Sequence, residues 1–233
     1  MSGFVAGTLI HTDQGLLPIQ NIKVGDLVLS KSDSSVIEYR NVTEVSGLLS
    51  EEILRISCFK NAQIEESYPV IYTQFAAASQ LFWVESTVEV QAFRKWIVAS
   101  KLDGCSLLSN ISDEKSLRFL DSHTVWYGCL EGGLSVGGCF ELTFEETREL
   151  DMIIQFTDDN YYFVNHNKYN SDYYILESQI IKSDYINDRA VDYIYNTHWN
   201  VPKPKKLAVR TYNLEIDGYN SYFIGEDGLW VHS

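Results

Sequence analysis

The sequence predicts an all-β fold assembled from many short strands. Residues 4–59 break into short apolar or alternating runs separated by closely spaced turn signals, the pattern of half-buried strands rather than of helices. Residues 207–233 do the same, with two hairpin signals, Asp217-Gly218 and Glu226-Asp227-Gly228, lying close together. Side chains that fit a pleated surface are abundant: 15 Tyr, 11 Phe and 5 Trp among 233 residues, so the aromatic share alone shifts the expectation toward sheet.

Taken in order, Phe4-Val5-Ala6 and Leu9-Ile10 read as strands around Gly7-Thr8, and Asp13-Gln14-Gly15 as a turn. Leu27-Val28-Leu29 restarts a strand after Val24-Gly25-Asp26, and Val36 to Val45 and Ile53 to Phe59 alternate. Residues 75–95 are mixed and leave room for a short helix. Trp96 to Leu108 reads as two strands joined at Asp103-Gly104. Residues 113–205 differ in character. Gly132-Gly133 and Gly137-Gly138 mark tight turns, residues 158–174 are rich in Asn, Asp and Tyr, and Tyr173 to Ile181 fits strand or helix equally. Asn200-Val201-Pro202-Lys203-Pro204 reads as a stiff extended linker. Leu207 to Ile216, Tyr222 to Ile224 and Leu229 to Val231 return to strand patterning.

The charge balance narrows the function classes. Eighteen basic against 32 acidic residues give a net charge of −14, with no basic stripe to neutralise phosphates or meet an anionic bilayer, so neither nucleic acid nor membrane is an expected partner. Cys58, Cys105, Cys129 and Cys139 form no C-x-x-C pair, so no metal or other cofactor is expected. They read as reduced, mostly buried thiols, with a Cys129–Cys139 bridge as the alternative in an oxidising compartment. No signal peptide opens the sequence, and its abrupt start on a strand pattern reads as a module excised from something larger.

Three stretches resemble the Hedgehog/intein (Hint) family, especially as found in bacterial polymorphic toxins. The first is Phe4 to Thr12 with Gly15, Pro18-Ile19, Ile22 and Val24 to Ser30, similar to the family's opening block. The second is Trp96, Ala99, Leu102, Gly104 and Leu107-Leu108, similar to its tryptophan-containing strand pair. The third is Tyr212 to Glu215, Gly218-Tyr219, Tyr222 to Gly225 and Gly228 to His232, similar to its closing blocks. The resemblance implies an all-β horseshoe with pseudo-twofold symmetry, residues 1–109 with 207–233 forming the Hint domain, and both ends of the sequence meeting at one site. It leaves 113–205 uncovered, as an insertion of unknown fold.

Self-cleavage in that family requires a Cys or Ser nucleophile, a Thr-x-x-His block that polarises the scissile peptide, a second His near the closing strands, and a terminal His-Asn pair. The resemblance places Gly3 at the nucleophile position, which leaves no attacking atom. Ser2 lies one residue early, and a one-residue slip misaims a nucleophile that must approach to about 3–3.5 Å. Glu65 and Tyr68 fall at the Thr and His positions. Tyrosine, with a pKa near 10, is a poor base at neutral pH, and Glu65 brings negative charge to a developing oxyanion. Asn220 (beside Ser221) stands where the second His is expected. His232 is in register, but Ser233 replaces Asn and cannot cyclise to a succinimide. His11 matches a non-catalytic feature of the opening strand, and His123, His166 and His198 lie in the unassigned middle.

The expected function is thus an autoprocessing module of a larger bacterial secreted or toxin-delivery protein, inactive or strongly impaired, whose partners are the flanking segments of its own precursor. The alternative is a non-catalytic pseudo-Hint binding module that recruits a protein partner through the vacated cleft or the insertion. A separate enzyme within 113–205 is a third reading. A homing endonuclease there is disfavoured because the segment is acidic and shows no basic face.

Overall fold

A computed structural model of the chain describes residues 2–32, 35–50, 52–60, 71–86, 94–112, 116–129, 135–142, 148–164, 173–174, 193 and 195–233. The opening strands are β1 (Phe4–Val5), β2 (Leu9–Thr12), β3 (Gly15–Pro18), β4 (Leu27–Lys31) and the long β5 (Ile37–Ser50). They are followed by β6 (Ile53–Lys60), β7 (Ile71–Ala77), β8 (Leu81–Ser86), β9 (Arg94–Val98), β10 (Ser106–Leu108) and β11 (Leu117–Thr124). A second group comprises β12 (Trp126–Cys129), β13 (Ser135–Leu142), β14 (Arg148–Phe156) and β15 (Tyr161–Val164). After β16 (Tyr173–Tyr174), the chain closes with β17 (Val209–Ile216), β18 (Ser221–Ile224) and β19 (Leu229–His232).

The strands form two sheets. In the large one the order β1-β17-β5-β4-β2-β18-β19-β8-β10-β11-β6-β7 closes on itself, because Phe4 pairs both Tyr212 of β17 and Ala76 of β7. Closure removes the bare edges that a sheet this long would otherwise present to solvent. The opening strand is therefore the keystone of the ring, with closing-block and middle-block strands on either side. The small sheet is β12-β13-β14-β15, all antiparallel. Segment 113–205 is thus divided: β11 joins the large sheet between β10 and β6, and the next four strands form the small sheet.

Strand alternation distributes side chains between two cores. Phe4 points into the main core, edge-on to Phe82 at 6.0 Å and Tyr222 at 6.5 Å. Its neighbour Val5 points the other way, into a second core shared with Ile53, Phe75, Val125 and the small-sheet residues Cys139, Ile154, Tyr161 and Phe163. Leu207, just ahead of β17, completes that second core.

Local expectations are met unevenly. Residues 75–86 carry the end of β7, a turn and β8, with Phe75 and Ala76 facing different cores as alternate strand residues do, and 87–93, within the stretch that leaves room for a short helix, lie outside the described residues. The strands around Asp103-Gly104 do not pair with each other: β9 and β10 lie on opposite edges of β8. Gly137-Gly138 is strand, not turn. A Cβ at Gly137 would sit 2.4 Å from Val125 Cγ1, so the absence of a side chain lets the two segments approach closely. None of the four cysteines is in a disulfide, in line with the reading of reduced thiols and against the Cys129–Cys139 alternative: the register puts Cys129 opposite Ser135, with Cys139 further along β13. Burial pushes the Cys139 thiol up to about 12, so it stays protonated and unreactive.

Candidate functional site

Both ends of the sequence are fastened to adjacent residues of β17. At the start, the Asn213 amide Nδ2 donates to the Ser2 hydroxyl at 3.0 Å, while Asn213 Oδ1 accepts from the Tyr222 hydroxyl at 2.8 Å and from Leu214 N at 3.0 Å. At the end, the Ser233 hydroxyl donates to the Leu214 carbonyl, and Ser233 N donates to the Asn220 carbonyl at 2.9 Å. Adjacent strand residues are about 3.3 Å apart, so residues 2 and 233 meet on one short piece of β17.

Gly3 lies buried between these contacts. Its φ of +131° belongs to glycine, and an added Cβ would fall 2.6 Å from the Tyr212 carbonyl oxygen. Its own carbonyl accepts from Ala77 N at 2.9 Å. No side-chain nucleophile is present, and the backbone leaves no room for one. The Ser2 hydroxyl meets an amide donor, which cannot take its proton. Asn220, exposed, adopts φ +48°, a left-handed conformation that Asn tolerates, and its contacts to Ser233 and Ile216 are made by backbone. Glu65 and Tyr68 lie outside the described residues.

His232 is the one imidazole at the junction among the described residues. Its Nδ1 is 2.8 Å from the backbone oxygen of Ser233. That oxygen can only accept, so the contact requires the proton on Nδ1. The ring is held edge-on by Trp96 at 5.0 Å and 83°, and Trp96 packs in turn on Trp83 and Trp230. The His232 carbonyl accepts from Gln80 Nε2 at 2.7 Å. Gln80, in the turn between β7 and β8, and Asn213, inside the closing-block stretch Tyr212 to Glu215, are not singled out as site residues by the sequence, since nothing in it shows which distant groups their amides meet.

The other histidines stand elsewhere. His11 Nε2 donates to the Gly225 carbonyl at 2.8 Å, tying β2 to the β18–β19 turn, and burial, against that hydrogen bond, lowers its pKa. The unfolded chain takes up this proton near pH 6.5 and the folded chain only at lower pH. Stability therefore falls as pH drops below about 6.5. His11→Gln should lose less melting temperature than the parent between pH 7.5 and 5.5, and equal losses would contradict this account. His123 lies 3.6 Å from Asp121, which pairs at 3.1 Å with the fully buried Arg55, and His198 packs on Tyr127. His166 lies outside the described residues. Among those residues no group of His, Cys, Asp and Glu is arranged to hold a metal ion.

No family model and no curated protein matches the chain. Solved structures do. The solution structure of a bacterial intein-like domain from Clostridium thermocellum is similar over 100% of this chain and 99% of that one, with 17% identity and a TM-score of 0.51. The gp41-1 intein aligns over 100% of this chain and 99% of its own at 12% identity and TM-score 0.46. A DnaB intein from Synechocystis sp. PCC 6803 aligns over the same shares at 9% and 0.42. On the first of these, and on its own all-β topology, the chain has a Hint/intein-like fold.

Proposed function

We propose that the chain is a Hint-type autoprocessing module of a larger bacterial secreted or toxin polypeptide in which self-cleavage is lost or strongly impaired. The observation that carries this is the meeting of residues 2 and 233 on Asn213 and Leu214, around a Gly3 whose conformation excludes a side chain. The partners are then the flanking segments of its own precursor. In the same reading, Gly3, Glu65 and Tyr68 mark the vacated upstream half of the site, and Asn220, His232 and Ser233 the downstream half. The Hint unit is 1–109 with 207–233, and the small sheet belongs to an insertion within 113–205. A binding role for that insertion is the second reading, favoured by the packing of Val5 of β1 into the small-sheet core.

The two halves are unequally damaged. Upstream, the acyl shift lacks its attacking atom. Downstream, the His232 imidazole still faces the Ser233 oxygen, and the missing part is a carboxamide. With Asn at 233, its Nδ2 would bond to its own main-chain carbonyl carbon. The peptide bond to the next residue would break, and the proton lost by Nδ2 would leave on the departing amine. The expected result is that Ser233→Asn, fused to a downstream protein, releases it slowly, on the order of 10²–10³ below a complete site because other donors are absent. Release is read by intact mass. An uncut S233N fusion would overturn the assignment of the downstream half.

A further inference from the structure

The turn between β7 and β8 reaches both ends of the sequence. At its start, Ala77 N donates to the Gly3 carbonyl at 2.9 Å. The turn closes when Gln80 N donates to the Ala77 carbonyl at 2.9 Å, which directs the Gln80 side chain inward. Gln80 is fully buried, and its Nε2 donates to two carbonyls, His232 at 2.7 Å and Leu81 at 3.2 Å. Two acceptors around Nε2 fix the orientation of the amide, because an oxygen there would face two other oxygens.

Gln80 Oε1 is buried with no partner among the described residues. A buried acceptor left unmet is costly, and an apolar side chain of the same shape would fill the position without it. Packing therefore does not explain an amide here. Its donor end does: it bonds the His232 carbonyl, whose carbon is attached directly to the Cα that carries the imidazole. On the other side Trp96 holds the ring edge-on. With backbone and ring both held, Nδ1 stays 2.8 Å from the Ser233 oxygen.

We propose that Gln80 is the positioning residue of the downstream junction: its amide, through the His232 carbonyl, keeps the His232 imidazole protonated on Nδ1 and aimed at the Ser233 oxygen. The proposal rests on reading this cleft as a cleavage junction, and it acts on orientation, not on the reacting atoms.

The test is nitrogen-15 NMR of the histidine rings in the full chain, comparing the parent with Gln80→Met and Gln80→Leu. Neither replacement side chain can donate a hydrogen bond, and both are apolar enough for the buried site. In the parent, His232 should show the Nδ1–H tautomer with a slowly exchanging ring proton. In either variant it should shift to the ordinary mixture dominated by Nε2–H, with a fast-exchanging proton. The His11 ring, bonded to Gly225, reports in the same spectrum that the fold is intact. An unchanged His232 tautomer in either folded variant overturns the proposal. A second arm adds Q80M to the S233N fusion and should slow release at least tenfold, and equal release rates would also overturn it. If S233N alone releases nothing, the junction reading fails, while the tautomer comparison still decides whether Gln80 orients His232.

Discussion

Gly3→Cys is expected to destabilise the chain and leave the upstream junction uncut, although it supplies the thiol the position lacks. Residue 3 sits at φ +131°, where an L residue is strained, and its Cβ would meet the Tyr212 carbonyl oxygen at 2.6 Å. Backbone strain of this kind costs on the order of 1–3 kcal/mol. Relief requires β1 to shift against β17, and β1 is the strand that closes the large sheet. Adding Glu65→Thr and Tyr68→His to Gly3→Cys should recover more cleavage than the single change, since together they restore the donors that polarise the peptide. Denaturant unfolding and thiol-dependent cleavage of an upstream fusion measure the two effects. Rapid thiol-induced cleavage of the stable single variant would count against both the placement of Gly3 and the roles given to Glu65 and Tyr68.

Phe75→Ala is expected to have the largest effect on stability, about 3–5 kcal/mol, the usual cost of emptying a buried phenylalanine site. Phe75 is fully buried, with Phe156, Tyr161 and Phe163 around it at ring distances of 5.2, 5.0 and 6.0 Å. It is the main large-sheet aromatic in the core that joins the two sheets, so its loss should loosen the small sheet first. Hydrogen exchange should accelerate in β12 to β15 and at Val5, with less change in β4, β5 and β18. Uniform acceleration throughout would mean that the two sheets do not unfold as separable units.

The parts of this fold that were legible in the sequence are those where period and turn chemistry agree. At both ends, strands of period two are bounded by turn residues, and β2, β4, β17, β18 and β19 lie close to where alternation puts them. The middle was opaque for identifiable reasons. In β11 the alternation breaks at a bulge after Phe119, leaving Leu120 exposed, so a strand of the large sheet does not look like one. In β13 the paired glycines imitate a turn while serving close approach. Residues 75–86 read as mixed because two cores, on opposite faces, take alternate side chains there, so the end of β7 is apolar on both faces and the period of two is hidden. At the site, His232 and Ser233 stood out through the resemblance of the closing strands, and Gly3 through the opening block. Asn213 and Gln80 act through single amides whose partners are far away in sequence, and only tertiary structure joins them.

The central claim, a Hint-type junction that holds both ends together without the means to cut them, is tested most directly by intact mass of the unaltered chain fused between two inert proteins and incubated with and without thiol. The account predicts one species at the full fusion mass throughout. A fragment that accumulates with time, broken at the Ser2–Gly3 junction or after Ser233, would contradict it.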